Sequence, residues 1–234
     1  MAEESAVAAS DQEPDTKRPK LLPKVLFVLG LPGAGKGTQC SKVIENFAEW
    51  GHISAGDCLR AERNNPESKD GELINNLIKD GLLVPSRITC KLLHKAMTSM
   101  RTEGKTCFLI DGYPRNIEND DTWKENIGDE AEVCGVLLYE GEEEALLERL
   151  LSATRGREDD KTDVIRRRFK SYKEDTMPVV ERYKSKELIF SVNGMPAPEE
   201  VWEQTKAIIS KVCPKAPAEE APPKEAEKAS EVKK

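Results

Sequence analysis

Lys36 stands near the end of a glycine-rich stretch that has the composition of a phosphate-binding loop. The stretch Gly-Leu-Pro-Gly-Ala-Gly-Lys-Gly-Thr occupies residues 30–38 and follows the apolar run 25–29. Backbone N–H groups of such a loop surround a polyphosphate, and the helix that begins there directs its N-terminal dipole at the anion. The lysine supplies a positive charge for the β- and γ-phosphates. The sequence therefore predicts a polyphosphate site at the end of the first strand.

Asp111 and Arg115 belong to a second stretch that fits phosphate chemistry, Asp-Gly-Tyr-Pro-Arg at 111–115. Asp111 ends an apolar run. In a protein with a phosphate-binding loop, an acid at the end of a strand holds magnesium directly or through its waters. The alternative interpretation is a turn or helix-capping aspartate. Arg115 carries a planar fork that can bind a phosphate through two hydrogen bonds.

Gly37 is a departure from the general motif of phosphate-binding loops. That motif places Ser or Thr directly after the lysine as a magnesium ligand, whereas here Gly37 follows Lys36 and Thr38 comes next. We therefore expect no direct protein ligand for magnesium, which would be bound by substrate phosphates and by waters near Asp111 and Thr38. The departure disfavours switch GTPases and motor ATPases, and the chain also lacks an Asn-Lys-x-Asp motif for reading guanine.

Apolar strands that alternate with helical stretches must position these residues. Strands are predicted at 25–30, 106–111, 133–139 and 188–192. Helices are predicted at 39–50, 71–80, 89–100, 142–151, 162–177 and 198–212. Near-continuous apolar strands separated by helices indicate a parallel sheet covered on both faces. Ligands of such sheets bind beyond the carboxyl ends of the strands, where the glycine-rich loop and Asp111 both lie.

Composition limits the possible functions and locations. The net charge of −7 argues against nonspecific binding to nucleic acid, so an anionic substrate requires a local cluster of arginines. The six cysteines are scattered and several lie in apolar runs, so reduced thiols are expected rather than disulfides or zinc ligands. No segment has the pattern of a membrane span or a leader peptide. We expect a cytoplasmic protein without a membrane or nucleic-acid partner.

Both ends of the chain are predicted to be disordered tails. Residues 1–23 are rich in Ala, Glu, Ser, Asp and Pro, and residues 214–234 are almost wholly Pro, Ala, Glu and Lys. The basic cluster at 17–20 suits a nuclear address as well as a solvated tail, so a nuclear location is left open. The folded unit is therefore expected at 24–213, long enough for one sizeable domain.

The loop at 30–39 and the stretch at 111–115 together resemble the nucleoside-monophosphate kinase family, which includes adenylate kinases and uridylate–cytidylate kinases. The segment 52–60, His-Ile-Ser-Ala-Gly-Asp-Cys-Leu-Arg, is similar to the start of that family's monophosphate-binding subdomain. The resemblance covers 24–213. It implies a three-layer α/β/α P-loop fold with a central parallel five-stranded sheet, a helical monophosphate-binding subdomain at 54–84 and a short lid at 152–162.

The resemblance also assigns residues to the site. It implies that the catalytic residues are Lys36, Asp111, Arg115, Arg157 and Arg168. It implies that ATP is bound by Gly33, Ala34, Gly35, Lys36, Gly37, Thr38, Arg155 and Pro196. It implies that the monophosphate is bound by Ser54, Arg60, Leu82, Leu83, Val84, Gly112, Tyr113, Pro114, Arg115, Asn116, Asn119, Arg157 and Arg168. His52 is expected to be structural, because this transfer needs no protein base.

The lid departs from the family pattern. Relatives carry Arg-Gly a few residues before Ser-Gly-Arg, whereas this chain is about two residues shorter there and has Arg155 in place of the serine. Arg155 or Arg149 is the candidate for the missing donor-side contact. Of the three consecutive arginines at 166–168, only one or so can face the site, and Arg168 is chosen by its spacing from Arg157.

Two amide side chains bear on the choice of monophosphate. Asn119 stands where adenylate kinases have a glutamine that reads adenine, and Asn116 is also present, as in the uridylate–cytidylate branch. An amide can present a donor or an acceptor, which suits both cytosine and uracil. The alternative for both residues is a polar helix start. The resemblance implies a monomer that transfers the γ-phosphoryl group of Mg·ATP to UMP or CMP, and dCMP use stays open.

Two alternatives to this activity are open from the sequence. One is an adenylate kinase, with the same chemistry and AMP as acceptor. The other is a weakly active ATP-binding protein that recruits partners through its charged tails, which the shortened lid motivates.

Overall fold

A parallel sheet fixes the position of every other element. The computed structural model describes residues 22–152 and 161–213, so nearly all of both predicted tails and most of the predicted lid lie outside the described residues. The five strands lie in the order β2-β3-β1-β4-β5 and all pair in parallel, as predicted. The strands are β1 (Lys24–Gly30), β2 (Trp50–Ser54), β3 (Cys107–Asp111), β4 (Glu132–Glu140) and β5 (Ile189–Asn193).

Strand β1 is buried on both faces because it lies in the middle of the sheet. Val25, Phe27 and Leu29 pack into one apolar core, and Leu26 and Val28 pack into the other. This alternation is the period of two that a strand imposes on its side chains. A strand buried on both faces has apolar residues at every position, which is why the sequence identified it.

Helices cover both faces of the sheet. They are α1 (Lys36–Asn46), α2 (Ala55–Arg63), α3 (Gly71–Asp80), α4 (Ser86–Thr102), α5 (Ile117–Ile127), α6 (Glu143–Ser152), α7 (Thr162–Ser171), α8 (Met177–Lys184) and α9 (Pro198–Val212). Helices α4, α5 and α8 pack into one core, and α1, α6, α7 and α9 pack into the other. This confirms the three-layer α/β/α fold. Among the described helices, none combines the length and apolar character needed to cross a bilayer.

The predicted helix at 39–50 was wrong at its end. Helix α1 stops at Asn46, and the fully buried Trp50 begins β2 instead. The sequence did not show β2, because Gly51 and His52 interrupt its apolar run and it is only five residues long. The predicted helices at 71–80 and 198–212 match α3 and α9.

The predicted helix at 162–177 is divided in two. Helix α7 ends at Ser171, a π-helical turn covers Tyr172–Thr176, and α8 begins at Met177 with Pro178 in its first turn. A π turn adds a residue to the helical repeat, so a pattern with a period of 3.6 residues does not reveal it. Helices α2, α5 and α8 were not predicted as separate elements.

Helices α2 and α3 form a small unit with its own apolar centre. Leu59, Ile74 and Val84 are buried together there, apart from the two cores of the sheet. Ser54 begins α2, and its side chain accepts a hydrogen bond of 3.2 Å from the backbone N–H of Asp57, which caps the helix. This unit lies in the segment 54–84, whose assignment as a monophosphate-binding subdomain stays a prediction.

One pair of cysteines differs from the sequence expectation. Cys107 at the start of β3 and Cys213 after α9 form a disulfide, so the expectation of reduced thiols is wrong for these two. They lie 106 residues apart, and no spacing motif connects them. Cys40, Cys58, Cys90 and Cys134 are free.

Asp120 is the most deeply buried acid of the described residues and joins α5 to α8. It is fully buried and accepts hydrogen bonds from Lys124 Nζ at 2.5 Å, Tyr183 Oη at 2.6 Å and Arg182 Nη1 at 2.7 Å. Burial alone would raise the pKa of Asp120, but these hydrogen bonds outweigh it and hold the pKa below its ordinary value. The carboxylate therefore stabilises the folded state in its ionised form.

We predict that Asp120→Ala lowers the free energy of unfolding by about 3 kcal/mol, because three donors lose a shared buried acceptor. Urea unfolding at pH 7 measures this. Asp121→Ala is the matched control: Asp121 also pairs with Arg182 at 2.5 Å but is half exposed, so about 1 kcal/mol or less is expected. The folded-state pKa of Asp120 is lowered, so its contribution is full at neutral pH and fades as the pH falls through that pKa. Equal losses for the two variants would contradict the prediction.

Candidate active site

A cavity of about 530 Å³ opens at the carboxyl ends of β1, β2 and β3. Gly30, Ser54 and Asp111, the last residues of these three strands, all line it. This is the edge of a parallel sheet at which ligands bind. Five cationic side chains line the same cavity: Lys36, Arg60, Arg115, Arg149 and Arg168. In a chain of net charge −7, such a local cluster indicates a site for a multiply charged anion.

The loop between β1 and α1 has the backbone of a phosphate cradle. Gly33 has a φ of +89°, and a Cβ there would lie 2.6 Å from the carbonyl oxygen of Leu146. Gly35 has a φ of +78° and forms the N-cap of α1 without a capping side chain. Positive φ values favour glycine. The first N–H groups of α1 therefore face the cavity without a side chain in front of them, as an anion site requires.

Lys36 lies at the base of this loop. Its ammonium group donates hydrogen bonds to the carbonyl oxygens of Gly30 at 2.8 Å and Leu31 at 3.0 Å. Burial lowers the pKa of Lys36 to about 8; Asp111 opposes this shift, and the nearby Arg115 adds to it. A bound polyphosphate would raise the pKa of Lys36 again, because a nearby opposite charge favours the charged form of the amine.

We predict that the binding of ATP takes up a proton at Lys36 above about pH 8. Below that pH the free protein already carries the charge, whereas above it the neutral amine must be protonated on binding. The Kd for ATP should therefore rise by up to about tenfold for each pH unit above the pKa. Calorimetry from pH 7 to pH 9.5, in two buffers with different ionisation enthalpies, measures affinity and proton uptake together. A constant Kd without proton uptake would refute this.

Asp111 is the acid at the end of β3, and His52 lies beside it. Nε2 of His52 and Oδ2 of Asp111 are 3.6 Å apart, and this buried Nε2 has no hydrogen-bond partner among the described residues. A Cβ on Gly37 would lie 4.0 Å from Oδ2 of Asp111, so the missing side chain at Gly37 leaves open space next to the carboxylate. Cys40 Sγ, a His52 nitrogen and an Asp111 oxygen lie within 4.8 Å of one another. Only Asp111 offers the oxygen ligand that magnesium prefers.

Three arginines reach the cavity from three different elements. Arg60 comes from α2 and pairs with Asp57 at 2.6 Å. Arg115 follows β3, and its Nε donates to the carbonyl oxygen of Gly112 at 2.9 Å. Arg168 comes from α7 and, like the other two, also lines a smaller neighbouring cavity. The same three guanidinium groups thus border both cavities, as a site for transfer between two phosphates requires.

Arg149 of α6 connects the cavity to the loop after β5. Its Nη1 donates to the carbonyl oxygen of Gly194 at 3.0 Å, and its Nη2 donates to that of Met195 at 3.2 Å. Arg149 was one of two candidates for the missing donor-side contact, and it does line the cavity. Arg155, the other candidate, and Arg157 lie outside the described residues.

The smaller cavity lies between α2, the segment after α3 and the start of α5. It is lined by Leu82, Leu83, Val84, Tyr113 and Asn119, together with the arginines. Apolar walls with one buried amide are suited to a heterocyclic base. The peptide bond between Tyr113 and Pro114 is cis.

Known proteins with similar sequences agree with this geometry. The family model described as adenylate kinase matches residues 28–188. The chain belongs to the adenylate kinase family. It is 41% identical to a UMP-CMP kinase of Lentinula edodes over 80% of this chain and 86% of the relative. It is 43% identical to UMP-CMP kinase 3 of Arabidopsis thaliana over 84% of this chain and 94% of the relative. It is 44% identical to a uridylate kinase of Schizosaccharomyces pombe over 77% of this chain and 94% of the relative.

Membership of the adenylate kinase family confirms the resemblance and the enzyme class, a nucleoside-monophosphate kinase that binds nucleotides. Most of the predicted site residues lie together. Those lining the larger cavity are Gly33, Gly35, Lys36, Gly37, Thr38, Ser54, Arg60, Leu83, Asp111, Gly112, Arg115 and Arg168. Those lining the smaller cavity are Arg60, Leu82, Leu83, Val84, Gly112, Tyr113, Arg115, Asn119 and Arg168.

Of the predicted residues that the structure describes, four line neither cavity. Ala34 is buried in the core beneath the loop, where it shapes the backbone. Pro196 follows the Gly194–Met195 carbonyls that Arg149 holds. Pro114 lies in the cis turn, and Asn116 caps α5 by accepting a hydrogen bond from the N–H of Asn119 at 2.8 Å. The contact of Asn116 is therefore the one expected from the alternative interpretation, a polar residue at the start of a helix.

Sequence reasoning missed several residues of the kinase site. His52 lines the cavity beside Asp111, although it was expected to be structural. Thr176 is buried, lines the cavity and donates to the carbonyl oxygen of Arg115 at 2.8 Å. Tyr172 and Thr176 both belong to the π turn. A pattern with a period of 3.6 residues does not reveal Tyr172 and Thr176. His52, in contrast, lies inside the segment 52–60, which resembles the start of the monophosphate-binding subdomain.

Proposed function

We propose that this kinase transfers the γ-phosphoryl group of ATP to the phosphate of UMP or CMP, giving ADP and the nucleoside diphosphate. The observation that carries the proposal is the identity of 41–44% to relatives named UMP-CMP kinase and uridylate kinase. The smaller cavity supports it, because Asn119 is the one buried amide among its lining residues. An amide can pair with uracil or with cytosine.

The two cavities suggest how the substrates are arranged. The triphosphate lies over the loop at 30–38, with Lys36 against its terminal phosphates. The acceptor base lies in the smaller cavity, so the acceptor phosphate points at Arg60, Arg115 and Arg168 between the two. The transfer requires an oxygen of the acceptor phosphate opposite the leaving oxygen of ADP, and this arrangement of the two substrates allows it.

The protein's part in this transfer is positioning and charge neutralisation. An acceptor phosphate oxygen bonds to the γ-phosphorus as the bond from that phosphorus to the β-phosphate oxygen breaks, and ADP leaves. The acceptor is already an anion, so no side chain has to remove a proton. Lys36, Arg115 and Arg168 lie where they stabilise the negative charge on the transferring group. Arg157 is assigned the same role by resemblance.

Magnesium fits the donor side of this site. The carboxylate of Asp111 faces the open space beside Gly37, which leaves room for an ion that keeps its water ligands. Asp111 would hold those waters, with Thr38 nearby in the cavity lining. When bound, the ion neutralises charge on the β- and γ-phosphates. We further propose, from composition and resemblance alone, a monomer located in the cytoplasm, with the nucleus left open.

The test is a panel of acceptors. The purified protein is incubated with Mg·ATP and, separately, with UMP, CMP, dCMP or AMP, and ADP formation is followed. Turnover with UMP and CMP and little with AMP is the expected result. Preference for AMP would overturn the base assignment, and binding of ATP without turnover would favour the weakly active binding protein. A Lys36→Met preparation purified in parallel controls for contaminating kinases.

A further inference from the structure

The side-chain amide of Asn119 has one possible orientation. The backbone N–H of Arg115 can only donate, so the amide oxygen must face it, at 3.0 Å. The amide nitrogen then faces Oγ of Ser86, at 2.7 Å. The backbone of Asn119 is held as well, since its N–H donates to Asn116 and its carbonyl oxygen accepts from Tyr113 Oη at 2.5 Å. Asn119 is therefore preorganised before any ligand binds.

The fixed amide retains one donor and one acceptor for a ligand. The nitrogen has two hydrogens and the oxygen two lone pairs, and one of each is used by Ser86 and Arg115. Asn119 lines the smaller cavity. On the proposed function, on which this inference rests, the spare N–H suits the O4 acceptor of uracil, and the spare lone pair suits the N4 amino group of cytosine.

We propose that Ser86 is a positioning residue that fixes the amide of Asn119 for recognition of the pyrimidine base. Ser86 is the first residue of α4, is 3% exposed and does not line either cavity. Its contact with the amide nitrogen of Asn119 is a buried hydrogen bond between two side chains. It therefore acts on the base only through Asn119.

The amide of Asn119 is one planar group that is held at two points. Its oxygen is held by the backbone N–H of Arg115, which a substitution of Ser86 leaves in place. Its nitrogen is held by Ser86 alone among the described residues. Because the oxygen and the nitrogen turn together about one bond, loss of Ser86 leaves the whole amide with one anchor, and recognition of uracil and of cytosine both weaken. A residue that merely supports the start of α4 would change the stability of the fold without a selective effect on the two monophosphates.

The test is Ser86→Ala, with kcat and KM measured for UMP, CMP and ATP. The KM for UMP and the KM for CMP should each rise about three- to tenfold, the range that the loss of one hydrogen bond gives. The KM for ATP and both kcat values should change by about twofold or less, because the groups that they depend on keep their contacts. Ser86→Thr keeps the hydroxyl and should restore both monophosphate KM values. Ser99→Ala, an exposed serine of the same helix, is the matched control and should behave as wild type.

Each outcome separates this inference from the proposed function. A wild-type protein that phosphorylates neither UMP nor CMP would remove the proposed function. A wild-type protein active on both, with Ser86→Ala leaving both monophosphate KM values unchanged or raising the KM for ATP as much, would overturn the role of Ser86 alone. Thermal unfolding shows whether each variant is folded. If Ser86→Ala fails to fold, Ser86→Cys carries the same test, with a smaller rise in both monophosphate KM values because a thiol still accepts a weak hydrogen bond.

Discussion

Replacing Lys36 with methionine should lower kcat about a thousandfold, on the order of 4 kcal/mol of transition-state stabilisation. The ammonium group lies at the base of the loop, where burial lowers its pKa to about 8 and the surroundings already include the arginines of the site. Removing the charge leaves the terminal phosphates of the donor with one cation fewer during transfer. Methionine is of similar length and keeps the packing. Steady-state kinetics with UMP as acceptor measures the loss.

Lys42→Met is the matched control for Lys36→Met. Lys42 lies on the same helix, is not among the residues that line the cavity, and pairs with Glu199 at 3.1 Å. An exposed pair of this kind contributes about 1 kcal/mol or less to stability, so kcat and KM should be unchanged. If Lys36→Met lost no more activity than Lys42→Met while both proteins remained folded, the assignment of Lys36 to the transferring group would be wrong.

The sequence predicted the central part of this fold because its signals are local. Strands β1 and β3 are buried on both faces, so nearly every residue is apolar, and the glycines at 33 and 35 are demanded by positive φ values. The loop at 30–38 and the stretch at 111–115 were each predicted to lie at the end of a strand. These predictions need no knowledge of distant contacts. The cavity lies where the carboxyl ends of the strands meet.

The rest of the site depends on contacts between distant parts of the chain. Ser86 and Asn119 meet from helices 33 residues apart, and Thr176 reaches the carbonyl oxygen of Arg115 from a π turn 61 residues away. Strand β2 is short and contains Gly51 and His52, so only its pairing with β3 reveals it. Residue types and spacing along the chain do not predict contacts between residues so far apart. The pairing of Cys107 with Cys213 was missed for the same reason.

The helix geometry of α7 explains why one of three consecutive arginines belongs to the site. Val164, Ile165 and Phe169 are buried, so they define the face of α7 that packs on the protein. Arg168 follows Val164 by four residues and Ile165 by three, which places it on that face, between the two around the helix axis. It lines both cavities. Arg166 is exposed on the opposite side.

Arg168→Ala should therefore lower kcat by about a hundred- to a thousandfold, because it removes a fixed charge from the position where the phosphoryl group transfers. Arg166→Ala is the matched control on the same helix and should retain wild-type kinetics. Arg168→Lys should recover only part of the loss, since an ammonium group keeps the charge but lacks the planar fork. Kinetics with UMP and CMP, together with thermal unfolding, measures all three. If Arg166→Ala were the more damaging change, α7 would present a different face to the substrates. In that case the charge that neutralises the transferring group would come from Lys36 and Arg115 without Arg168.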